Sequence, residues 1–288
     1  MMLGKLRDLL IMTKPKQLAL LMITMYGAYF LAAKKPSLVD LGLLTLTGIG
    51  AAGGVTALNM YIERDIDSIM ERTRSRPLPR GSLTETEALA GIAALILLGA
   101  LAGAAINKYV AFAALAGFFF DIIGYTELAK RRSEWALFLG SIAGSMPALG
   151  GWAAGAGRIS LEGILLAGVV FAWQPLHVAF IHYYYEDDYE RAGVPTIPGR
   201  LGSRYFANLA AASVVSVIAL SWAIYAIAGV GLATAAIVTL LGMRALVEIS
   251  RFREAPSREM ARSMIKYASP LVGIVFLLLP VETVIATL

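Results

Sequence analysis

An all-α, polytopic membrane protein is what this 288-residue sequence predicts, and three observations carry that expectation. Hydrophobic residues make up 58% of the chain and charged ones 16%, with a mean hydropathy of +0.70, too apolar for a soluble domain of this size. The apolar residues gather into runs long enough to cross a bilayer. The charged residues gather between those runs, so the net charge of +5 fits loops at a membrane face rather than a nucleic-acid-binding surface.

The runs lie at approximately 17–33, 39–62, 86–106, 109–125, 135–155, 161–185, 205–228, 231–250 and 267–287, which predicts nine transmembrane helices in one domain over 1–288. Lys5, Arg7, Lys14 and Lys16 accompany a first hydrophobic stretch too long for a cleaved signal. The second run leads into an acidic segment, the fourth into Lys130-Arg131-Arg132, and the sixth into tyrosines and a second acidic segment. Glycine and alanine are frequent within the runs, as close helix packing in lipid requires. On the eighth, Arg244 and Glu248 stand four residues apart and read as a snorkelling pair. With the N-terminus cytoplasmic, cytoplasmic segments hold twenty Lys and Arg against four on the other side. That asymmetry predicts a multi-pass cell-membrane protein, N-terminus inside and C-terminus outside.

Composition also excludes chemistry. The chain has no cysteine, which removes disulfides, thiolate metal sites and cysteine nucleophiles. Its two histidines, His177 and His182, exclude a multi-histidine metal site.

The first acidic segment reads Asn59-Met60-Tyr61-Ile62-Glu63-Arg64-Asp65-Ile66-Asp67 and continues through Arg72, Arg74 and Arg76 to Pro77. On a continuous helix Asn59, Glu63 and Asp67 share one face. An amide and carboxylates at this spacing suit a hard divalent cation, and the arginines beyond suit the anion it would carry. Alone, the segment reads first as an acidic helix end with a solvated basic loop.

The second segment reverses those odds. It runs Trp173-Gln174-Pro175-Leu176-His177, then Tyr183-Tyr184-Tyr185-Glu186-Asp187-Asp188-Tyr189-Glu190. Four carboxylates in five residues at a helix exit are costly unless solvated or neutralised. An aromatic belt with a solvated end would account for this segment alone. Two such ends on one membrane face, with a basic loop between, point to a shared ligand. Glu63, Asp67, Asp187 and Asp188 bring a charge of about −4 and a diphosphate about −3. Two Mg²⁺ and three cations drawn from Arg72, Arg76, Lys130 and Arg131 would bring the total near zero.

These residues resemble the UbiA-type intramembrane prenyltransferases, and within them the haem farnesyltransferase branch. The resemblance covers nearly the whole chain from Met12-Thr13-Lys14-Pro15. Its carriers are Asn59 to Pro79, Tyr125 to Arg132, the glycine-rich 140–154 run, Trp173 to His177 and Asp187 to Pro195. Glu63 stands where that family usually has Asp, and glutamate reaches one methylene further. The resemblance implies a bundle around a lipid-open cavity, with the active site at the cytoplasmic side. It implies Mg²⁺ as cofactor, held by Asn59, Glu63, Asp67, Asp187 and Asp188, which also form the catalytic set. Arg72, Arg76, Lys130 and Arg131 would bind diphosphate, and His177, Trp173 and Tyr184 the acceptor. The implied reaction joins the prenyl group of farnesyl diphosphate to a vinyl group of haem b, with the bilayer accepting the prenyl tail.

Two rivals stand beside that reading. One is a prenyltransferase of the same family acting on an aromatic or glycerol-phosphate acceptor. The other is a transporter, which would spread polar groups through the midplane rather than gather them at one face. His177 is either a structural histidine or a contact to the porphyrin or its iron. His182, nearer the exit, is expected in a polar network.

Overall fold

Polar residues between the apolar runs set where each helix starts and stops. The computed structural model describes residues 2–287, and no strand occurs among them. In chain order the helices are α1 (Met2–Met12), α2 (Pro15–Ala32), α3 (Leu38–Ile62), a short α4 (Arg64–Ile69), α5 (Glu85–Ile106) and α6 (Lys108–Ala129). Then come α7 (Ala136–Ala156), α8 (Leu161–Tyr184), a short α9 (Glu186–Arg191), α10 (Ile197–Ala228), α11 (Leu232–Glu254) and α12 (Arg258–Thr287). Ser37 accepts hydrogen bonds from the N–H groups of Val39 and Asp40 and opens α3. Thr84 and Glu87 form a reciprocal capping box at the start of α5. Asn107 accepts from the N–H groups of Tyr109 and Val110 at the start of α6. Gly157, at φ 67°, ends α7 in the left-handed conformation that glycine adopts without strain.

Eight helices are long and apolar enough to cross a bilayer: α3, α5, α6, α7, α8, α10, α11 and α12. The ninth expected span is α2, which packs along α7 and α12 in the same bundle but starts with the polar turn Pro15-Lys16-Gln17. The larger core belongs to the second half of the chain. There Phe180, Phe206 and Phe252, from α8, α10 and α11, meet edge to face at 4.6–5.4 Å between ring centroids. Leucines such as Leu97, Leu101, Leu115 and Leu240 point outward, as a lipid-facing surface requires. The α2–α7 contact depends on Gly151, where a methyl group would strike the carbonyl of Met25.

Two departures from ideal helices shape the bundle. The first acidic segment is not the continuous helix that would put Asn59, Glu63 and Asp67 on one face: α3 breaks at Glu63 (φ −88°, ψ 7°), and α8 breaks likewise at Tyr185 (φ −107°, ψ 28°). Each break falls where the span meets its charged end, and it folds the acidic turn back against the bundle. Asp67 and Asp188 are thereby buried rather than left on an extended helix. In addition, the chain is π-helical over Gly48–Gly53 within α3 and over Phe119–Ala129 within α6. At the charged end α1 is fastened by ion pairs from Lys5 to Glu87 and from Asp8 to Arg80. Arg244 does not pair with Glu248: it lies against the Tyr267 ring, 5.0 Å from its centroid, and Glu248 pairs with Arg251.

Candidate active site

A cavity of about 520 Å³ opens at the charged end and reaches between α2, α3, α6, α7 and α8. Its mouth is polar, its deeper walls apolar. Asn59, Glu63, Asp67, Arg72, Arg76, Lys130, Trp173 and His177, all expected site residues, line it.

At the mouth every carboxylate has a cation. Glu63 accepts a hydrogen bond from the Lys130 ammonium and another, at 3.0 Å, from the Asn59 amide. That amide also donates to Thr126 Oγ1 at 2.8 Å, which leaves the Asn59 carbonyl oxygen with no hydrogen-bond partner among the described residues. Arg76 donates to Asp67 at 2.5 Å, and Thr73 donates to the Asp67 backbone carbonyl at 3.0 Å. Burial pushes the Glu63 carboxyl up. The ammonium of Lys130, then the charges of Lys14 and Arg76, outweigh that and hold it below the ordinary carboxylate value.

The second acidic segment sits differently. Asp188 accepts from the backbone N–H groups of Glu71 and Arg72, at 3.0 and 3.1 Å, and from Arg191. Burial raises its carboxyl, and those N–H groups with Arg191 more than offset the rise. Asp188 thus clasps the loop that carries Arg72, whose guanidinium lies 5.0 Å from the Tyr185 ring centroid. Neither it nor Asp187 is on the cavity wall; Asp187 is exposed and pairs with Arg258. Arg131 is turned outward into a bidentate pair with Asp65, both bonds 2.7 Å, so the cation that enters from this basic loop is Lys130. Tyr184 packs against the phenylalanine core, also off the wall.

The described residues contain no group of three His, Cys, Asp or Glu that would cage a metal. The oxygens of Asn59, Glu63 and Asp67 are nonetheless a hard donor set around one end of one cavity. Such a set fits Mg²⁺ in its usual mode, with a few protein oxygens and the remaining positions filled by phosphate and water.

Deeper in, the His177 ring stacks on Trp173 at 4.8 Å and 15°, while the Trp173 indole N–H donates to the Ala268 carbonyl at 2.6 Å. The Nδ1 atoms of both histidines are buried without a hydrogen-bond partner. His182, expected in a polar network, lies instead on the cavity wall with its ring 4.6 Å from that of Tyr189. Gly140, Ala143 and Gly144 of α7 also line the cavity, and the Gln174 side chain of α8 occupies the space that a methyl on Gly144 would need.

Lys14, Asp121, Tyr125, Thr126 and Tyr189 were not among the expected site residues. Lys14 lines the mouth, and at φ 47° it is the non-glycine residue held in the left-handed region. Burial, then the charge of Arg76, lowers its ammonium to about 8. Its signal in the sequence is a lysine locked between a short helix and Pro15. Asp121 had a plainer signal, a carboxylate inside an apolar run.

Compared with known proteins, residues 20–270 match the model of the UbiA prenyltransferase family. The chain is 50% identical over 287 residues to a protein of Aeropyrum pernix named protoheme IX farnesyltransferase, covering 99% of this chain and 95% of that one. It is 41% identical over 276 residues to the protein of that name from Thermofilum pendens, covering 95% and 97%. Among solved structures, one described as digeranylgeranylglyceryl phosphate synthase superposes with a TM-score of 0.80 at 20% identity, covering 97% of this chain and 99% of that one. A UbiA homologue from Archaeoglobus fulgidus bound to GPP and Mg²⁺ gives 0.62 at 14% identity, with 93% and 98% covered. At such identities the structures speak for the fold alone.

Proposed function

This chain belongs to the UbiA prenyltransferase family, and from that premise we propose a membrane-embedded enzyme that transfers a prenyl group from its diphosphate to haem b. The observation that carries the acceptor is identity of 50% across essentially the whole chain with a protein named for that reaction. Farnesyl is the prenyl group that this relative's name supplies. The geometry supports the reading independently. A polar mouth holding cationic side chains, Lys14, Arg72, Arg76 and Lys130 among them, suits a diphosphate. The apolar depth beneath it suits a prenyl tail, and the Trp173–His177 stack on the cavity wall suits a planar macrocycle.

Within that site the cations of the mouth stabilise the charge that develops on the leaving diphosphate. Mg²⁺, held by Asn59, Glu63 and Asp67, would add Lewis-acid stabilisation of the same oxygens. Asp188 keeps Arg72 in place through the loop backbone. The closed, apolar walls exclude water while the allylic carbon is cation-like. His177 lines the cavity with its ring stacked on Trp173, where it would lie against the porphyrin. The distribution of Lys and Arg supports an orientation with this mouth, and the N-terminus, in the cytoplasm.

Purified protein incubated with haem b and farnesyl diphosphate, with and without Mg²⁺, tests the reading. Haem O detected by mass spectrometry only with Mg²⁺ is expected. Prenylation of hydroxybenzoate or a glycerol phosphate with haem left untouched would overturn it.

A further inference from the structure

Asp121 is a half-buried carboxylate on the wall of the cavity that the charge pairing at the mouth does not use. It lies eight residues inside the C-terminal end of α6, at the start of the π-helical stretch, on a stripe with Val110, Ala113, Gly117 and Tyr125 that faces the cavity. Its neighbours in the span are apolar. Thr126 hydrogen-bonds its backbone carbonyl at 2.8 Å, but the carboxylate itself accepts no hydrogen bond among the described residues. The charges acting on it come from the mouth: Lys14 first, then Glu63 and Lys130. His177, on α8, faces the same cavity, and both helices pack on α7 between them. A carboxylate in an apolar span is costly, and here no partner in the fold accounts for it.

We propose that Asp121 is the general base that directs a water molecule onto the acceptor after prenyl transfer. The inference rests on the haem reading above. There, the terminal vinyl carbon forms a bond to C1 of the prenyl group as the C1–O bond breaks and diphosphate departs with the electron pair. Positive charge is left on the internal vinyl carbon, next to the porphyrin ring. The oxygen of the water bonds to that carbon, and one of its protons passes to the Asp121 carboxylate. The product is a secondary alcohol, and no oxidant or reductant is consumed. Without a base in place, the same cation loses a proton from the adjacent new CH₂ group to the departing diphosphate. The product is then an alkene, a prenylated haem lacking one water. Asp121 therefore decides the product rather than the prenyl transfer itself.

The test is the product ratio of Asp121→Asn with haem b, farnesyl diphosphate and Mg²⁺, read by mass spectrometry beside diphosphate release. We expect hydrated product to fall about 100-fold relative to wild type, with the alkene rising and diphosphate release retained. The smaller, neutral Asp121→Ser carries the same expectation where asparagine disturbs packing. A wild-type ratio in either folded variant overturns the inference. So does parallel loss of inorganic diphosphate binding and turnover, which would make Asp121 a counter-charge for Lys14. Failure of both variants to fold would assign it a structural role and overturn it as well. Wild-type protein that prenylates no haem would instead defeat the haem reading.

Discussion

Lys130, just past the end of α6, hydrogen-bonds the carboxylate of Glu63, 67 residues earlier at the break after α3. Arg76 does the same for Asp67. The free mouth therefore neutralises its carboxylates with its own cations. A divalent cation and a diphosphate arriving together would exchange partners: the metal takes the carboxylates, and the released ammonium and guanidinium take the phosphate oxygens. Buried ion pairs of this kind are costly to break singly, because one charge is left uncompensated.

That exchange makes the two ligands interdependent. Inorganic diphosphate, titrated calorimetrically into protein in detergent, should bind about 10-fold or more weakly when Mg²⁺ is chelated. Equal affinity with and without the metal would mean that the carboxylates do not compete for the cations.

Asp67 and Asp188 should fail in different ways. Asp67→Asn removes an anionic oxygen on the cavity wall, and turnover should fall about 100-fold or more with the loop undisturbed. Asp188→Ala unclasps the backbone of Glu71 and Arg72, at about 1–3 kcal/mol for the unsatisfied groups. Hydrogen exchange at those two amides should accelerate, and diphosphate affinity should fall with it. Amides that stay protected in the alanine variant would remove the clasp.

Lys14 gives the site a pH dependence. Its ammonium, lowered to about 8, is held below the lysine value by burial and Arg76. Anion binding needs the charged form, so diphosphate affinity should be full below about pH 8 and decline as pH rises through it. Lys14→Arg keeps its charge and should abolish that decline while retaining binding. A profile unchanged between the lysine and arginine forms would assign the decline to another group.

His177→Ala should alter the Soret band of bound haem and cut haem turnover, with inorganic diphosphate binding nearly intact. The unpartnered Nδ1 and the stack on Trp173 motivate this expectation. An unchanged spectrum with retained turnover would make the histidine structural.

The helical membrane fold was legible because apolar run length and the gathering of charge into loops depend on local composition alone. So was the gathering of Asn59, Glu63 and Asp67 at one end of the cavity, since they are close in sequence. What escaped depends on tertiary direction. The breaks at Glu63 and Tyr185 turn Asp188 to the loop and Asp187 to Arg258, directions that residue spacing on a regular helix does not carry. Lys130 and Arg131 are adjacent and chemically alike, yet one turns into the cavity and the other toward Asp65. Nothing in their own identities distinguishes them. Lys14 was passed over because its importance comes from the left-handed backbone that aims it.

The clasp between Asp188 and the loop also orders events in time. It joins residues 117 and 116 positions apart, so it closes only after α8 and α9 have left the ribosome. A nascent chain that ends earlier has the Arg72 loop but no carboxylate to hold it. Contacts between such distant segments form late because the intervening chain must first be placed. The Arg72 loop at the mouth of the cavity is thus held only once the chain has been made past Asp188, and a shorter nascent chain lacks that clasp.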